Sequence, residues 1–299
     1  METNTSEASK GSKVSLNSIE SLFSDSYKLY QERFTTLSEI VLLPALFLLL
    51  GYIFQSLGFP FSIISALALV IGYIILVFSS LALIFSIHNN AGVDASYRAS
   101  LRFFWPYVWI AILSSLALMG TAIMLVIPAI WLAILFTLKS YTLVIENRRG
   151  MDSLRQSKDY VTGYWWAVFG RALLFGIIIG IGSIIIRLPF GILGVPLISS
   201  IVQSIIIVVT VPFSSIFFYK IFENLRTIKP ELHDAPASGN TFIKVSAIIG
   251  IFVWILLIVS IGLLVMAYRH GDFNQYMDQQ VQTQNMPYSM VPSNQLNNY

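Results

Sequence analysis

Residues 127–171 read IPAIWLAILFTLKSYTLVIENRRGMDSLRQSKDYVTGYWWAVFGR. Ile127-Pro128 makes a tight turn, and an apolar run then extends to Val144 with a single charge, Lys139. As a helix, that run is long enough to cross the ~30 Å hydrocarbon core of a bilayer. A basic, polar stretch follows from Glu146 to Tyr164. Trp165 and Trp166 then head a second apolar run, as aromatic side chains do at a headgroup boundary. Most of the chain repeats this order of crossing, interfacial segment and aromatic-headed crossing.

Composition agrees with a membrane protein. The 299 residues are 56% hydrophobic and 11% charged, against about 25% charged in soluble domains. Backbone groups in the bilayer core have no water to bond, so each long apolar run reads as helix. The runs do not alternate polar with apolar residues, which excludes a transmembrane β-barrel. The chain has no Cys, so disulfide and thiolate chemistry are excluded.

Outward from this stretch the pattern gives seven crossings. Towards the N-terminus lie the third, Tyr107 to Val126, entered through Trp105, Tyr107 and Trp109, and the second, Phe61 to Ile87. The second would span roughly 40 Å, so it tilts or projects. The first runs from Leu37 to Leu57, with Pro44 as a candidate kink. Towards the C-terminus, the fifth ends near Ile186, and Arg187 to Pro196 form a turn. The sixth spans Val195 to Tyr219 and the seventh Phe242 to Tyr268. Residues 1–15 and 269–299 read as disordered tails, and 226–241 as a polar linker. The acidic N-terminal stretch holds no cleavable signal pattern, so the first crossing is expected to remain as an anchor.

Three amphipathic stretches precede crossings. Leu16, Ile19, Leu22, Phe23, Tyr27, Tyr30 and Phe34 recur at helical spacing. Val93, Tyr97, Leu101 and Phe104 form a stripe opposite Arg98 and Arg102. Met151, Leu154, Val161 and Tyr164 or Trp165 form a third, with Arg155, Lys158 and Asp159 facing elsewhere. Each fits a helix lying in the interface or packed on the protein's own surface. The expected fold is therefore an all-α polytopic transmembrane bundle. Residues 16–225 form three units of interfacial helix plus helical hairpin, and a seventh C-terminal crossing is appended.

Sixteen of the eighteen Lys and Arg residues fall on one face of this topology; Arg187 and Arg269 are the exceptions. The positive-inside rule then makes the N-terminus cytoplasmic and the Asn/Gln-rich tail extracytoplasmic, in a multi-pass protein of the plasma or inner membrane.

Enzymatic signals are poor. His88, His233 and His270 lie in separate segments, and no metalloprotease, nucleophile-elbow or phosphate-loop pattern occurs. No catalytic residue, metal or cofactor is expected, and no nucleic-acid partner. The ionisable residues in crossings are Glu39, Lys139 and Arg171, all near the basic face, where long side chains snorkel. Arg171 could pair with Glu39 or hold a lipid phosphate. Arg171, Arg148, Arg149, Lys139, Arg98 and Arg102 are the candidate contacts to anionic lipid headgroups. Gln55 and Gln203 are read as helix–helix hydrogen bonders, and Gly176, Gly180 and Gly182 as a small-residue face for close packing.

The IPAIWL turn, the run to LVIENRRGMDSLRQSKDYVTGYWW, and SYKLYQERFTTLSEIVLLPALFLLL near the N-terminus resemble the glycerophosphoryl diester phosphodiesterase membrane-domain family and the nearby YciC-like bacterial membrane proteins. Pro128-Ala129 stands where that family has Pro-Gly, and Glu146…Gly150 supplies its acidic-plus-Gly connector. The resemblance covers residues 18–225. It implies a bacterial cytoplasmic-membrane protein with six core helices and no assigned activity, because the phosphodiesterase activity belongs to a separate fused barrel. The expected function is a non-enzymatic scaffold that organises lipid or a membrane-protein partner. The alternative is a transporter-like component for a lipidic substrate. A continuous polar cavity reaching the midplane would favour transport, and a solid bundle with a basic rim would favour the scaffold.

Overall fold

The computed structural model describes residues 16–124, 126–192 and 194–233, with 245, 248–252, 254–256, 258–266, 268 and 269 near the C-terminus. The expected N-terminal tail, the second half of the linker and nearly all of the C-terminal tail lie outside these residues. The fold is all-α, with no strand among the described residues. It comprises α1 (Ile19–Ser56), α2 (Ser62–Asn89), α3 (Val93–Met124), α4 (Val126–Leu135), α5 (Lys139–Ile145), α6 (Met151–Val161), α7 (Trp165–Ile192), α8 (Pro196–Ile228) and a 3-10 turn at Pro230–Leu232. Seven stretches are long and apolar enough to cross a membrane, the last over Ile248–Met266. This is an integral, multi-pass membrane protein.

The N-terminal amphipathic stretch and the first crossing form one helix. Ser18 caps it by accepting from the Ser21 N–H at 3.1 Å. The backbone leaves helical dihedrals at Arg33, not at Pro44. Before that bend, Leu22 and Ser26 are buried, and Phe23 and Tyr30 pack on the core, so this segment lies on the protein's own helices. Phe23 meets Phe217 of α8 at 5.1 Å and Phe175 of α7 at 6.0 Å, and Tyr30 meets Phe213 at 5.7 Å. Beyond the bend, α1 pairs with α2 through two glycines. A Cβ at Gly72 would sit 3.1 Å from the Leu48 backbone nitrogen, and one at Gly51 equally close to that of Leu69. Only a bare α-carbon lets the two backbones approach so closely.

Other expected boundaries shift. α3 runs unbroken through Pro106, so its amphipathic and apolar parts are one helix. Its inward face is Ser96, Ser100, Phe103 and Ile110, while Leu101 is exposed beside Arg98 and Arg102 rather than opposite them. α7 continues through Pro189 to Ile192, past the expected turn. The fourth crossing is interrupted: α4 ends at Leu135 and α5 begins at Lys139. Only α6 is a separate short helix before a crossing.

α6 doubles back along α5 and α4. Ser153 Oγ donates to the Lys139 carbonyl at 2.6 Å, and Ser157 Oγ donates to the Leu135 carbonyl at 2.6 Å. At the far end Trp165 Nε1 donates to the Trp131 carbonyl at 3.0 Å. An alternation of faces at every crossing puts Trp131, one turn past Ile127, and Trp165 at opposite boundaries. Here they touch, and with Ile127, Ile130 and Trp166 they line one apolar pocket of about 270 Å³. The interruption of the fourth helix and the reversal of α6 along it bring the tip of the second hairpin level with the start of α7.

Candidate functional site

The interruption between α4 and α5 frees backbone groups in an apolar setting, where each unpaired group costs several kcal/mol, about 2–7. α6 supplies their partners. Ser157 both donates to the Leu135 carbonyl and accepts from the Leu138 N–H at 3.2 Å. Ser153 bonds the Lys139 carbonyl and the Thr142 hydroxyl, 2.8 Å away. Both serines are buried. A hydroxyl every four residues places one donor–acceptor group per helical turn on a single face.

The opposite end of α5 carries a buried polar centre. Glu146 is 1% exposed at its side chain, and its Oε1 accepts from Tyr160 Oη at 2.5 Å. Arg226 Nε and His233 Nδ1 each lie 3.6 Å from the same oxygen. Arg226 also approaches the His233 ring at 3.0 Å. Arg148 donates to the His233 carbonyl at 3.0 Å, and Gln156 to the Leu232 carbonyl. Glu146 Oε2 is buried without a hydrogen-bond partner. Burial and then the adjacent Glu146 push the Tyr160 phenol well above its ordinary value, so it stays a donor. Lys229 donates to the carbonyls of Asp159 and Thr162, both at 2.6 Å; burial pulls its ammonium down, against the opposing charges of Glu231 and Asp159. The arrangement ties α5, α6, α8 and the 3-10 turn into one charged end. Nearby, His88 Nδ1 lies 3.3 Å from Tyr219 Oη. Among the described residues no group of three His, Asp or Glu could hold a metal ion.

The six candidate headgroup contacts separate into two sets. Three are tied inward. Arg171 donates to the backbone carbonyls of Ala167, Leu16 and Asn17 at 2.9, 3.1 and 2.5 Å. It makes no ion pair with Glu39, which is exposed. Asn17 and Asn224 exchange two further hydrogen bonds beside it, so Arg171 clamps the start of α1 to α7 and α8. Lys139 Nζ donates to Ser114 Oγ at 2.5 Å, and Arg148 belongs to the polar centre. The other three, Arg98, Arg102 and Arg149, are exposed. Arg98 pairs with Asp94 at 3.0 Å, and Arg102 lies 5.3 Å from the centroid of the Phe103 ring. On α3, Arg98, Leu101, Arg102, Trp105 and Trp109 share one exposed face.

Gln203 does not make the expected helix–helix bond through its Oε1, which is buried without a partner, and Gln55 is exposed. The glycine face of α7 is open: a Cβ at Gly176, Gly180 or Gly182 would meet nothing within 4 Å. Sequence reasoning passed over Gln156, Ser157 and Tyr160, and read Ser153 with Asp152 only as a candidate cap of the helix that instead starts after Gly150. A visible signal was there, polar side chains on the α6 face that also carries Leu154 and Val161. No family model matches this chain, and no curated protein or solved structure does either.

Proposed function

We propose that this membrane protein is a non-enzymatic organiser of anionic lipid, acting through the basic end of its bundle, which the charge distribution makes cytoplasmic. The observation that carries the reading is the exposed face of α3, where Arg98 and Arg102 alternate with Leu101, Trp105 and Trp109. Cations interleaved with aromatic and aliphatic side chains suit a headgroup layer: the charges meet phosphates while the rings enter the acyl boundary. The exposed Arg149 extends the same rim, since a Cβ on its neighbour Gly150 would lie 3.7 Å from the Trp109 ring. The resemblance to the phosphodiesterase membrane-domain family supports the same assignment, because the likeness lies in the membrane helices and not in a catalytic barrel. The polar centre at Glu146 is saturated with protein partners on its Oε1 and supports a structural role for that cluster.

The experiment compares wild type with Arg98→Gln/Arg102→Gln/Arg149→Gln in nanodiscs of mixed phosphatidylglycerol and phosphatidylcholine, measuring the lipid retained on gentle extraction. Wild type is expected to enrich phosphatidylglycerol, with the enrichment reduced in the triple variant and weakened by salt. Equal retention in both proteins would sink the reading.

A further inference from the structure

Arg187 stands apart from the sixteen basic residues of the opposite face. It lies 22 residues beyond Trp165 on α7, about 33 Å of helix from the basic end. It is exposed, and no carboxylate among the described residues is within ion-pair distance of it. The surrounding hairpins could not supply one, because the sequence has no Asp or Glu from Ile40 to Val93 or from Tyr160 to Phe222. A cation at the end where cations are depleted, with no acidic partner among the described residues, suits the phosphate of a lipid headgroup.

The space around it has a shape to match. Arg187 lines an opening of about 400 Å³ with Ser183, Gly191 and Ser199. At Ser183 this opening adjoins an apolar groove of about 420 Å³ between α7 and α8, lined by Gly182, Ile186, Val202, Ile206 and Val209. Its size falls within the ~300–1,000 Å³ range of ligand pockets. Gly182 keeps it open, since no protein atom lies within 4 Å of where its Cβ would be. On α1, the Tyr52 hydroxyl is within electrostatic reach of Arg187 and 3.3 Å from the Tyr73 hydroxyl. Only one O–H is used between those two phenols, so the other remains available to an acceptor.

We infer that this cleft holds one anionic glycerophospholipid of the leaflet opposite the basic end, with its phosphate on Arg187 and an acyl chain in the α7–α8 groove. The guanidinium offers paired donors that match phosphate oxygens. The groove offers apolar walls, and burying a chain there contributes by packing rather than by release of water. The site is independent of the rim, which serves the other leaflet.

The test uses the full chain in nanodiscs doped with phosphatidylglycerol carrying a photoreactive diazirine on its acyl chain, with the phosphatidylcholine analogue as comparison. Crosslinked residues are then mapped by mass spectrometry. Phosphatidylglycerol is expected to mark the groove face of α7 and α8. Arg187→Gln should lower that yield roughly tenfold, the loss of one charge-assisted hydrogen bond, and Arg187→Lys should keep part of it. Gly182→Leu fills the groove without touching the charge and should also lower the yield. Both positions face away from the packed core, and the rim experiment reports separately whether the variants are intact. Equal labelling by the two lipids, unchanged by Arg187→Gln, would overturn the proposal. So would a groove left unlabelled while the same probe marks residues 248–266, which would place the lipid on that helix instead.

Discussion

Tyr160 keeps its proton because ionising it would place a second anion beside Glu146 in a buried site. Its folded pKa is raised, so its contribution to stability is complete below the ordinary phenol value, about 10, and is lost as pH rises beyond it. Tyr160→Phe should therefore cost about 1–3 kcal/mol near neutral pH by leaving Glu146 Oε1 without its short hydrogen bond. The gap to wild type should narrow above about pH 10. Thermal unfolding in detergent across that range reads both. A gap that widens with pH would mean that the phenol is not held protonated. Arg171 makes a second prediction at this scale. Its donors go to Leu16 and Asn17, so Arg171→Ala should release the start of α1, seen as faster proteolysis before Ile19 with the bundle's melting temperature little changed. The sequence marked Arg171 as unusual, since cations within crossings are rare, but the partner was unreadable. Backbone carbonyls 154 and 155 residues away leave no pattern in side-chain identity.

The interrupted fourth crossing shows where sequence signals mislead. Pro44, Pro106, Pro189 and Pro212 all lie inside continuous helices. The real interruption falls at Phe136, Thr137 and Leu138, which carry no helix breaker. What fixes it is tertiary: two serines of α6 satisfy the freed groups. Ser157→Ala should therefore destabilise by about 1–3 kcal/mol for each backbone group left unpaired, measured by unfolding, whereas Ser157→Thr should retain most of the stability. The Trp131–Trp165 contact leads to a topological prediction. A hairpin returns the chain to its starting side whether or not its tip reaches the far boundary, and residues 103–138 carry no charge that would reveal the depth. The chain has no Cys, so single-cysteine variants carry one label site. Ile127→Cys should react with a membrane-impermeant maleimide from the same side as Trp166→Cys, and Gly58→Cys from the other. Labelling of Ile127→Cys with Gly58→Cys would show that the second hairpin crosses completely.

At the scale of the whole molecule, apolar run length was enough to give the all-α class and the pairing of α1 with α2 and α7 with α8, because hydrocarbon thickness and short turns constrain both. The packing of the first helix on the eighth was not legible, since Phe23, Phe175, Phe213 and Phe217 look like ordinary crossing residues until the fold assembles them. The same holds for the glycines: the GxxxG-like face of α7 attracted notice and packs on nothing described, while Gly51 and Gly72, isolated in sequence, make the closest helix pair. Gly72→Leu should split α1 from α2 and lower the melting temperature well beyond Gly180→Leu, whose added side chain enters open space.

The α1–α8 contact also sets a clock. Phe23 waits for Phe213 and Phe217, nearly two hundred residues later in the chain. At roughly 5–20 residues per second of synthesis, that is on the order of ten to forty seconds. Throughout that interval the inner face of the first helix has been made and its partner has not. During biogenesis something else must cover Leu22, Phe23 and Tyr30, either bilayer lipid or the insertion machinery, and a ribosome stalled before residue 213 would hold the protein in that uncovered state.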